Sequence, residues 1–232
     1  MIRDRPIVTA SCELPLERHG RLLLFGGSFD PPTRAHIELP ERVREAMGFD
    51  AVLYVPAKVS PFKTQAAPPA PAADRVAMLK AGLAGREHAI ILLDEVEVPG
   101  DEPSYTIDTV RELRQRMRDD AELRLLLGAD QAASFHQWKA SDELTELAEP
   151  VVMLRPLATA ESVLASVPES ERAAWARRLV EVPRMEVSAT EVRQRLARGE
   201  AINDLVPDAV VEYIREHGLY QNGDGSPHSS RS

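Results

Sequence analysis

A pair of glycines between a short apolar run and an amphipathic segment constrains the fold of this chain more than any other feature. The run Leu22–Phe25 has the length and composition of a buried parallel strand. Gly26 and Gly27 end it, and charged and apolar residues resume at helical spacing from Arg34. Because glycine lacks a Cβ, backbone N–H groups at such a turn can approach an anion closely, and the next helix directs its unpaired N–H groups to the same place. The segment therefore predicts a phosphate-binding turn.

This turn matches neither of the two commonest phosphate-binding patterns. It lacks the Gly-x-x-x-x-Gly-Lys-Ser/Thr of P-loop proteins and the Gly-x-Gly-x-x-Gly of dinucleotide-binding oxidoreductases. His36 falls in the opening turns of the predicted helix, where its imidazole would face the same phosphate. An ordinary strand-to-helix turn, with Pro31 and Pro32 as helix-start residues, would explain the glycines alone. Such a turn would not explain why the glycines are followed by Ser-Phe-Asp-Pro and by a histidine at this spacing.

Apolar strand candidates alternate with helical patterns along the chain. The sequence predicts strands at 22–25, 51–55, 90–93, 123–127, 151–154 and, more weakly, 180–187, and helices at 34–47, 73–83, 107–118, 142–148, 161–179, 190–197 and 207–217. Such alternation predicts an α/β fold with a doubly wound parallel sheet covered by helices on both faces. Ligands bind beyond the carboxyl ends of the strands in these folds, which is where the glycine turn lies.

Length and composition suggest how the chain is divided. A chain of 232 residues can bury one substantial core, and we expect a single domain over residues 21–220. A flexible extension is expected at 1–20, and a disordered tail, rich in Gly and Ser, at 221–232. Residues 66–72, made of alanine and proline, are expected to form a mobile surface loop.

The charge and the cysteine content exclude several classes of partner. A formal net charge of −9 and a pI near 5.3 argue against nucleic acid and anionic membranes, which require basic surface. Cys12 is the single cysteine, so no intrachain disulfide can form, and we expect a cytoplasmic location. No signal peptide or membrane-spanning run is evident, and the histidines lack metal-ligand spacing, so no protein metal site is expected.

A second candidate phosphate site lies near the end of the chain, at Ser188, Thr190 and Arg193. Ser188 followed three residues later by Glu191 is a capping box, so a well-capped surface helix is an alternative interpretation. In the functional interpretation, the two hydroxyls and the amides of the helix N-terminus hold a pyrophosphate. Arg193, one turn into the helix, is then a charge-assisted donor.

Four further candidates lie between these two sites. Lys63 follows the second strand and is a candidate phosphate contact. Thr106 lies where a loop enters a helix, and Asp130 follows the carboxyl end of a strand. Trp138 lies in a polar stretch just beyond, where its ring can stack on a base or a pyridine. Lys63, Asp130 and Trp138 each follow a strand and so lie toward the end of the sheet at which ligands bind.

Together these motifs resemble the bacterial nicotinate-mononucleotide adenylyltransferases of the nucleotidyltransferase superfamily. The superfamily has a Gly-rich turn, Ser-Phe-Asp-Pro and His/Thr-x-Gly-His, then Ile-Ser-Ser-Thr-x-Ile-Arg near the C-terminus. The family adds Pro-Ser-Tyr-Thr-x-Asp-Thr, Gly-x-Asp followed by Trp, and Leu-Val-Pro followed by Gly-Leu-Tyr. This sequence is similar at residues 26–36, 187–193, 103–109, 128–138 and 205–220. The resemblance implies a Rossmann-like nucleotidyltransferase fold.

The resemblance also implies a reaction and a set of site residues. Nicotinate mononucleotide and ATP would give nicotinate adenine dinucleotide and pyrophosphate in NAD biosynthesis, with Mg²⁺ arriving with ATP. The implied catalytic residues are His36, Thr33 and Arg193. The implied ATP and phosphate contacts are Gly26, Gly27, Ser28, Phe29, Lys63, Ser188, Thr190 and Arg193. The implied contacts of the acceptor nucleotide are Thr106, Trp138 and Asp130.

Three departures from the family pattern leave alternatives open. Thr33 replaces the first histidine, as in pantetheine-phosphate adenylyltransferases, and Ala189 replaces a serine. Ala35 replaces a glycine that lets the nucleotide pack against the helix. The alternatives are an adenylyltransferase for phosphopantetheine or nicotinamide mononucleotide, and a catalytically inactive nucleotide-binding relative. The oligomeric state is open, a homo-oligomer included.

Overall fold

The computed structural model describes residues 7–9, 16, 19–57, 70–93, 96, 104–154 and 160–221. The strands within these ranges are β1 (Ile7–Thr9), β2 (Arg21–Gly27), β3 (Ala51–Pro56), β4 (Ala89–Leu92), β5 (Glu122–Gly128), β6 (Pro150–Leu154) and β7 (Leu179–Glu181). The helices are α1 (Arg34–Met47), α2 (Ala72–Gly82), α3 (Thr106–Arg116), α4 (Ala129–Ala133), α5 (Ser141–Leu147), α6 (Ala160–Ala165), α7 (Arg172–Ala176), α8 (Ala189–Ala197) and α9 (Asp208–His217).

The strands form one sheet in the order β1-β4-β3-β2-β5-β6-β7. Strands β2 to β7 are parallel, and β1 pairs antiparallel with β4 at one edge. Counted along the chain, the six parallel strands lie in the order 3-2-1-4-5-6, which is the doubly wound Rossmann order. The predicted fold class is therefore confirmed. The strand order reverses between β2 and β5, and this is the point at which such sheets bind ligands.

Alternate residues of the central strands pack into two cores, one on each face of the sheet. Leu22 and Leu24 of β2 join a cluster with α3 and α5, whereas Leu23 and Phe25 join a cluster with α1 and α2. A strand that is buried on both faces must be apolar throughout, which explains the continuous run in the sequence. A third cluster joins α2, α8 and α9, and it attaches the C-terminal helices to α2.

Most predicted elements are confirmed to within a few residues, but the strand predicted at 180–187 ends at Glu181, and the helix predicted over 161–179 is wrong. This segment forms α6, a 3₁₀ turn at Glu169–Glu171, α7 and then β7, which pairs with β6. Pro168 precedes the 3₁₀ turn. Proline has no N–H to donate to the preceding turn and its ring clashes there, so one continuous helix cannot form.

Two segments that were expected to be mobile contribute ordered residues. Ile7–Thr9, within the predicted N-terminal extension, pair with β4, and Leu16 is buried in a core cluster. Ala70 is buried and α2 begins at Ala72, so the end of the predicted 66–72 loop is packed. Residues 66–69 and 222–232 lie outside the described residues, and the domain boundaries stay predictions. Over the described ranges, no helix is long and apolar enough to cross a membrane.

A ladder of five charged side chains crosses the amino ends of the parallel strands. Glu122, at the start of β5, accepts from Arg21 Nε at 2.7 Å and from Arg124 Nε at 2.7 Å. Arg124 also pairs with Glu149, and Glu149 accepts from Arg178 Nε at 3.2 Å. Partial burial acts to raise the pKa of Glu122, but the hydrogen bonds from the two arginines outweigh it and hold this pKa below its usual value.

We predict that Glu122→Gln removes a pH-dependent part of the stability. Because the folded-state pKa of Glu122 is depressed, its ionised form adds stability above the unfolded-state pKa, and this is lost as the pH falls. The variant should lose about 0.5–1 kcal/mol of unfolding free energy at pH 7 and approach the parent protein near pH 3.5. Urea unfolding at low salt between these two pH values measures this difference.

The matched control is Glu216→Gln, because Glu216 is exposed on α9, away from the ladder. This control should follow the parent protein within about 0.5 kcal/mol at every pH. If the unfolding free energies of the parent protein and Glu122→Gln changed with pH in the same way, this would contradict the stabilising role of the ladder.

Candidate active site

A cleft of about 1180 Å³ opens at the carboxyl ends of β2 and β5, where the strand order reverses. Its lining comes from the turn after β2, the start of α1, the start of α3, the segment after β5 and the start of α8. Eight of the predicted site residues line it together: Gly26, Gly27, Ser28, His36, Thr106, Asp130, Trp138 and Ser188. The structure therefore brings both predicted phosphate sites and the predicted acceptor site into one cavity.

His36 is fixed by reciprocal hydrogen bonds at the start of α1. Thr33 is the N-cap, and its hydroxyl accepts from the His36 N–H at 3.4 Å. In return, the Thr33 N–H donates to His36 Nδ1 at 3.0 Å, so the histidine occupies the place of the glutamate in a capping box. Because Nδ1 accepts, the neutral ring carries its proton on Nε2. His36 therefore offers an N–H donor on the ring edge opposite Thr33.

Thr33 itself is fully buried behind the cleft. Its side chain has 0% exposure, and its hydroxyl lies 2.9 Å from His36 Nδ1 as well as capping α1. The expected direct contact between Thr33 and a phosphate is therefore not what the structure presents. A threonine at this position orients the histidine, because its short hydroxyl reaches both the backbone and the ring of residue 36.

Ala35 also packs away from the cleft. It is 3% exposed and belongs to the apolar cluster that contains Ile37 and Leu39. The sequence suggested that its methyl group would crowd the nucleotide, but this methyl is part of the core. The departure from glycine therefore affects the packing and the helix propensity of α1 and not the lining of the cleft.

The turn after β2 depends on the contact between Gly27 and Phe29. A Cβ at Gly27 would lie 3.0 Å from the Phe29 ring, tighter than most side-chain contacts, so a larger residue here would require the buried ring to shift. Phe29 is 1% exposed and adopts a left-handed backbone with φ of 48°. This conformation costs a non-glycine residue about 1 kcal/mol or more. The Phe29 ring packs edge-on against His36, with centroids 5.5 Å apart, so it shapes the turn from behind the lining.

The opposite wall of the cleft is the N-terminus of α8. Ser188 is the N-cap, and its Oγ accepts from the Glu191 N–H at 3.1 Å. The capped-helix interpretation is thus confirmed for Ser188, yet Ser188 and Glu191 also line the cleft. Arg193 Nη1 donates to the Asp30 carbonyl at 2.6 Å, and Nη2 donates to Thr190 Oγ1 at 3.3 Å. Arg193 and Thr190 therefore connect α8 to the turn and lie beside the lining.

The predicted acceptor residues lie at the far end of the cleft. Thr106 begins α3, Asp130 is exposed on α4, and Trp138 packs at 5.6 Å between ring centroids against Phe135. The indole is thus held from one side by the core while it contributes to the cleft. Lys63 lies outside the described residues, and its contact with phosphate stays a prediction.

Sequence reasoning missed several residues of the lining. Lys139 Nζ lies 4.3 Å from the centroid of the Tyr105 ring and 3.1 Å from Asp108 Oδ2, at the acceptor end. Gln131 Oε1 accepts from the Gly128 N–H at 3.0 Å and so closes the start of α4. A glutamine three residues after a glycine at the end of a strand is a usable capping signal. No comparable local signal identifies Lys139.

Comparison with known proteins gives consistent matches across the chain. The cytidylyltransferase-like family matches residues 24–195. A protein of Pseudomonas syringae pv. tomato named "Probable nicotinate-nucleotide adenylyltransferase" is 35% identical over 225 residues, which cover 89% of this chain and 97% of that protein. A Thermomicrobium roseum protein of the same name is 37% identical over 203 residues, covering 87% of this chain and 92% of that protein.

A solved structure supports the fold independently. The nicotinic acid mononucleotide adenylyltransferase of Plasmodium falciparum, solved in complex with NaAD, superposes with a TM-score of 0.64 at 21% identity. The match covers 87% of this chain and 98% of that one. At this identity the likeness concerns the fold, and it agrees with the strand order described above.

The geometry at Thr33 predicts that two substitutions of this residue differ in their effect on stability. Thr33→Val keeps the branched shape but loses the capping hydroxyl, so it should lower the unfolding free energy by about 1 kcal/mol. Thr33→Ser keeps the hydroxyl and should lower it clearly less. Urea unfolding of both variants measures this, and ¹⁵N NMR of the parent protein should find the His36 proton on Nε2. Equal stability of the two variants, or a proton on Nδ1, would show that the capping arrangement is not present in solution.

Proposed function

The chain belongs to the nicotinate-nucleotide adenylyltransferases within the cytidylyltransferase-like family, and we propose that it joins nicotinate mononucleotide to ATP, giving nicotinate adenine dinucleotide and pyrophosphate. One observation carries the proposal. The starts of α1 and α8, with His36 and Ser188, line one cleft together with Trp138. Two helix N-termini suit the phosphates of one nucleotide, and an aromatic platform suits the ring of another.

The proposed reaction is an in-line displacement at the α-phosphorus of ATP. An oxygen of the 5′-phosphate of nicotinate mononucleotide forms the new P–O bond, while the bond to the bridging oxygen breaks and pyrophosphate leaves with its electron pair. Because the attacking phosphate is already an anion, the reaction requires neither a strong base nor a covalent enzyme intermediate. Catalysis then consists mainly of positioning and of stabilising negative charge.

We assign the charge-stabilising roles to the two walls of the cleft. His36 would donate from Nε2 to the α-phosphate or to the departing bridge oxygen, with Thr33 as its positioning residue. The backbone N–H groups of the Gly26–Ser28 turn would hold the phosphates. Ser188, Thr190 and the amides at the start of α8 would hold the leaving pyrophosphate, with the Arg193 guanidinium beside them. Lys63, which lies outside the described residues, would add a cation.

The acceptor nucleotide would occupy the end of the cleft formed by α3 and the segment after β5. The Trp138 indole would stack on the pyridine ring, because its contact with Phe135 holds it at the edge of the core while it lines the cleft. Thr106, at the start of α3, would offer its hydroxyl and a helix N-terminal amide to the nicotinate carboxylate. The exposed carboxylate of Asp130 would accept from ribose hydroxyls.

Magnesium would enter as part of the MgATP substrate. Mg²⁺ usually keeps several waters and takes phosphate ligands, so it requires no full set of protein ligands. Among the described residues, no group of three or more His, Cys, Asp or Glu side chains is placed to hold a metal ion. Glu191 also lines the α8 wall beside Ser188, but its carboxylate accepts from Arg195 Nη2 at 2.7 Å. Bound Mg²⁺ would neutralise part of the polyphosphate charge.

The structure weakens the arguments for the alternative functions. Thr33 was the residue that favoured a phosphopantetheine acceptor, but its buried capping position keeps it from touching any acceptor. Thr33, Ala35 and Ala189 also suggested an inactive relative. Thr33 and Ala35 lie behind the cleft lining, whereas Ala189 begins α8. The His36 donor is present and oriented. These observations favour an active enzyme over an inactive relative and remove the argument for a phosphopantetheine acceptor.

A pyrophosphate-release assay tests the proposal directly. The protein would be incubated with ATP and Mg²⁺ and with one of three acceptors: nicotinate mononucleotide, nicotinamide mononucleotide or phosphopantetheine. We expect the highest kcat/KM with nicotinate mononucleotide. Release with phosphopantetheine alone, or with none of the three despite measurable ATP binding, would contradict the proposed function.

A cytoplasmic location and a homo-oligomeric state stay proposals of ours. The location is supported by the single cysteine, Cys12, since proteins of oxidising compartments commonly carry disulfides. It is also where the proposed substrate ATP is plentiful. Sedimentation velocity would determine the state of association.

We predict that His36→Ala slows turnover by roughly 10²–10³ while the fold stays intact, because one donor to the transition state is lost. The control is His88→Ala, since His88 is exposed before β4, away from the cleft. Its turnover should stay within about twofold. Circular dichroism checks the fold of both variants, and a near-normal rate in folded His36→Ala would rule out the catalytic role of the imidazole.

We also predict that Lys139 contributes to the choice of acceptor. Its ammonium group lies at the acceptor end of the cleft, and a cation attracts the nicotinate carboxylate but not the neutral carboxamide. Lys139→Met should reduce the preference for nicotinate over nicotinamide mononucleotide roughly tenfold, measured as the ratio of kcat/KM values. Lys139→Arg retains the charge and should retain most of the preference. If both variants lose it equally, the charge is not what selects the acceptor.

A further inference from the structure

Asp30, in the turn between β2 and α1, carries a buried carboxylate that is bonded to the far end of the chain. It is 5% exposed, and its Oδ1 accepts from the Tyr220 hydroxyl at 2.6 Å, across 190 residues of sequence. Burial raises the pKa of Tyr220, and the bond to Asp30 raises it further, so this hydroxyl remains a donor at neutral pH. The residues that follow α9 are therefore attached directly to the phosphate-binding turn.

The backbone of the same turn is held from two other directions. Arg193 of α8 donates to the Asp30 carbonyl at 2.6 Å. Arg75 of α2, only 1% exposed, donates from Nη1 to the Ser28 carbonyl at 2.7 Å and to the Ala57 carbonyl at 2.8 Å. The turn thus receives hydrogen bonds from α2, α8 and the segment after α9.

Backbone strain at both ends of the Tyr220 bond supports a functional role for it. Phe29, next to Asp30, has φ of 48°, and Tyr220 has φ of 62°, both in the left-handed region that non-glycine residues avoid. Such conformations persist only where the surroundings enforce them, and they cluster at functional sites. The strained turn contacts the His36 ring through Phe29 and contacts Arg193 through the Asp30 carbonyl.

From this geometry we propose that Tyr220 is a positioning residue for ATP. Its bond to Asp30 fixes the turn between the starts of α1 and α8, and so sets the separation of the two groups that grip the polyphosphate. This inference rests on the proposed use of ATP at the cleft. The acceptor-side residues Thr106 and Trp138 belong to other elements, so a change at Tyr220 should affect ATP much more than the acceptor.

The test compares two tyrosine-to-phenylalanine variants of the full chain. Tyr220→Phe removes the bond to Asp30, whereas Tyr213→Phe removes a similar bond, from the Tyr213 hydroxyl to Asp74 at 2.9 Å. Both tyrosines pack against the same apolar cluster, and each variant loses one hydrogen bond from a hydroxyl to a carboxylate. Asp74, however, lies on α2 and not in the turn.

Binding of a non-hydrolysable ATP analogue with Mg²⁺, measured by calorimetry without acceptor, is the first measurement. We expect roughly tenfold weaker binding for Tyr220→Phe, the effect of losing one hydrogen bond to a charged group, and a change within twofold for Tyr213→Phe. In the complete assay, KM for ATP should rise in Tyr220→Phe while KM for nicotinate mononucleotide stays within twofold.

Unchanged analogue binding in folded Tyr220→Phe would overturn the inference. So would equal losses of binding in both variants, because this would show a general structural role. If Tyr220→Phe does not fold, Asp30→Asn takes its place, because it weakens the same hydrogen bond while keeping an oxygen acceptor. Unchanged binding of the ATP analogue by Asp30→Asn would also overturn the inference. The binding experiment contains no acceptor, so its outcome does not depend on the reaction that we propose. The proposed function fails separately if the parent protein binds the analogue but releases no pyrophosphate from ATP with any acceptor.

Discussion

The reciprocal hydrogen bonds between Thr33 and His36 are the interaction on which the rest of the site depends. They start α1, satisfy two backbone donors at its N-terminus and fix which ring nitrogen carries the proton. The start of the same helix is also bonded to the segment between α8 and α9, because the Arg34 N–H donates to the Leu205 carbonyl at 2.9 Å. A single helix start therefore orients a catalytic donor, ends a glycine turn and anchors the segment that carries α9.

The topology explains why the two phosphate-binding segments meet although about 150 residues separate them. The doubly wound order places β2 beside β5 at the centre of the sheet, and the connections after them diverge and leave a crevice. The segment between β7 and α8 then returns across this crevice and presents the start of α8 to it. The carboxyl ends of the central strands therefore form the base of the cleft, and the start of α8 forms one of its sides.

Much of this arrangement could be predicted from local patterns, and the failures have physical causes. The strands and the His36 position follow from apolar runs and a glycine turn, which are local signals. The long helix over 161–179 failed because Pro168 outweighs a helical period, and β1 was missed because three residues gain a strand only by pairing with β4. Thr33 was assigned to phosphate because a capping hydroxyl and a ligand hydroxyl look alike in sequence. Lys139 and Tyr220 depend on distant partners, which no local pattern contains.

The charged ladder and the cleft lie at opposite ends of the same strands, and this separation has a consequence for how the protein can change. Glu122 and Gly128 are the two ends of β5, six residues and roughly 20 Å apart. Substitutions at that distance, without shared partners, usually act additively. Charges at the amino ends can therefore be altered to adapt the protein to a new temperature without disturbing substrate binding. Heat tolerance and substrate preference can evolve as separate traits in this fold.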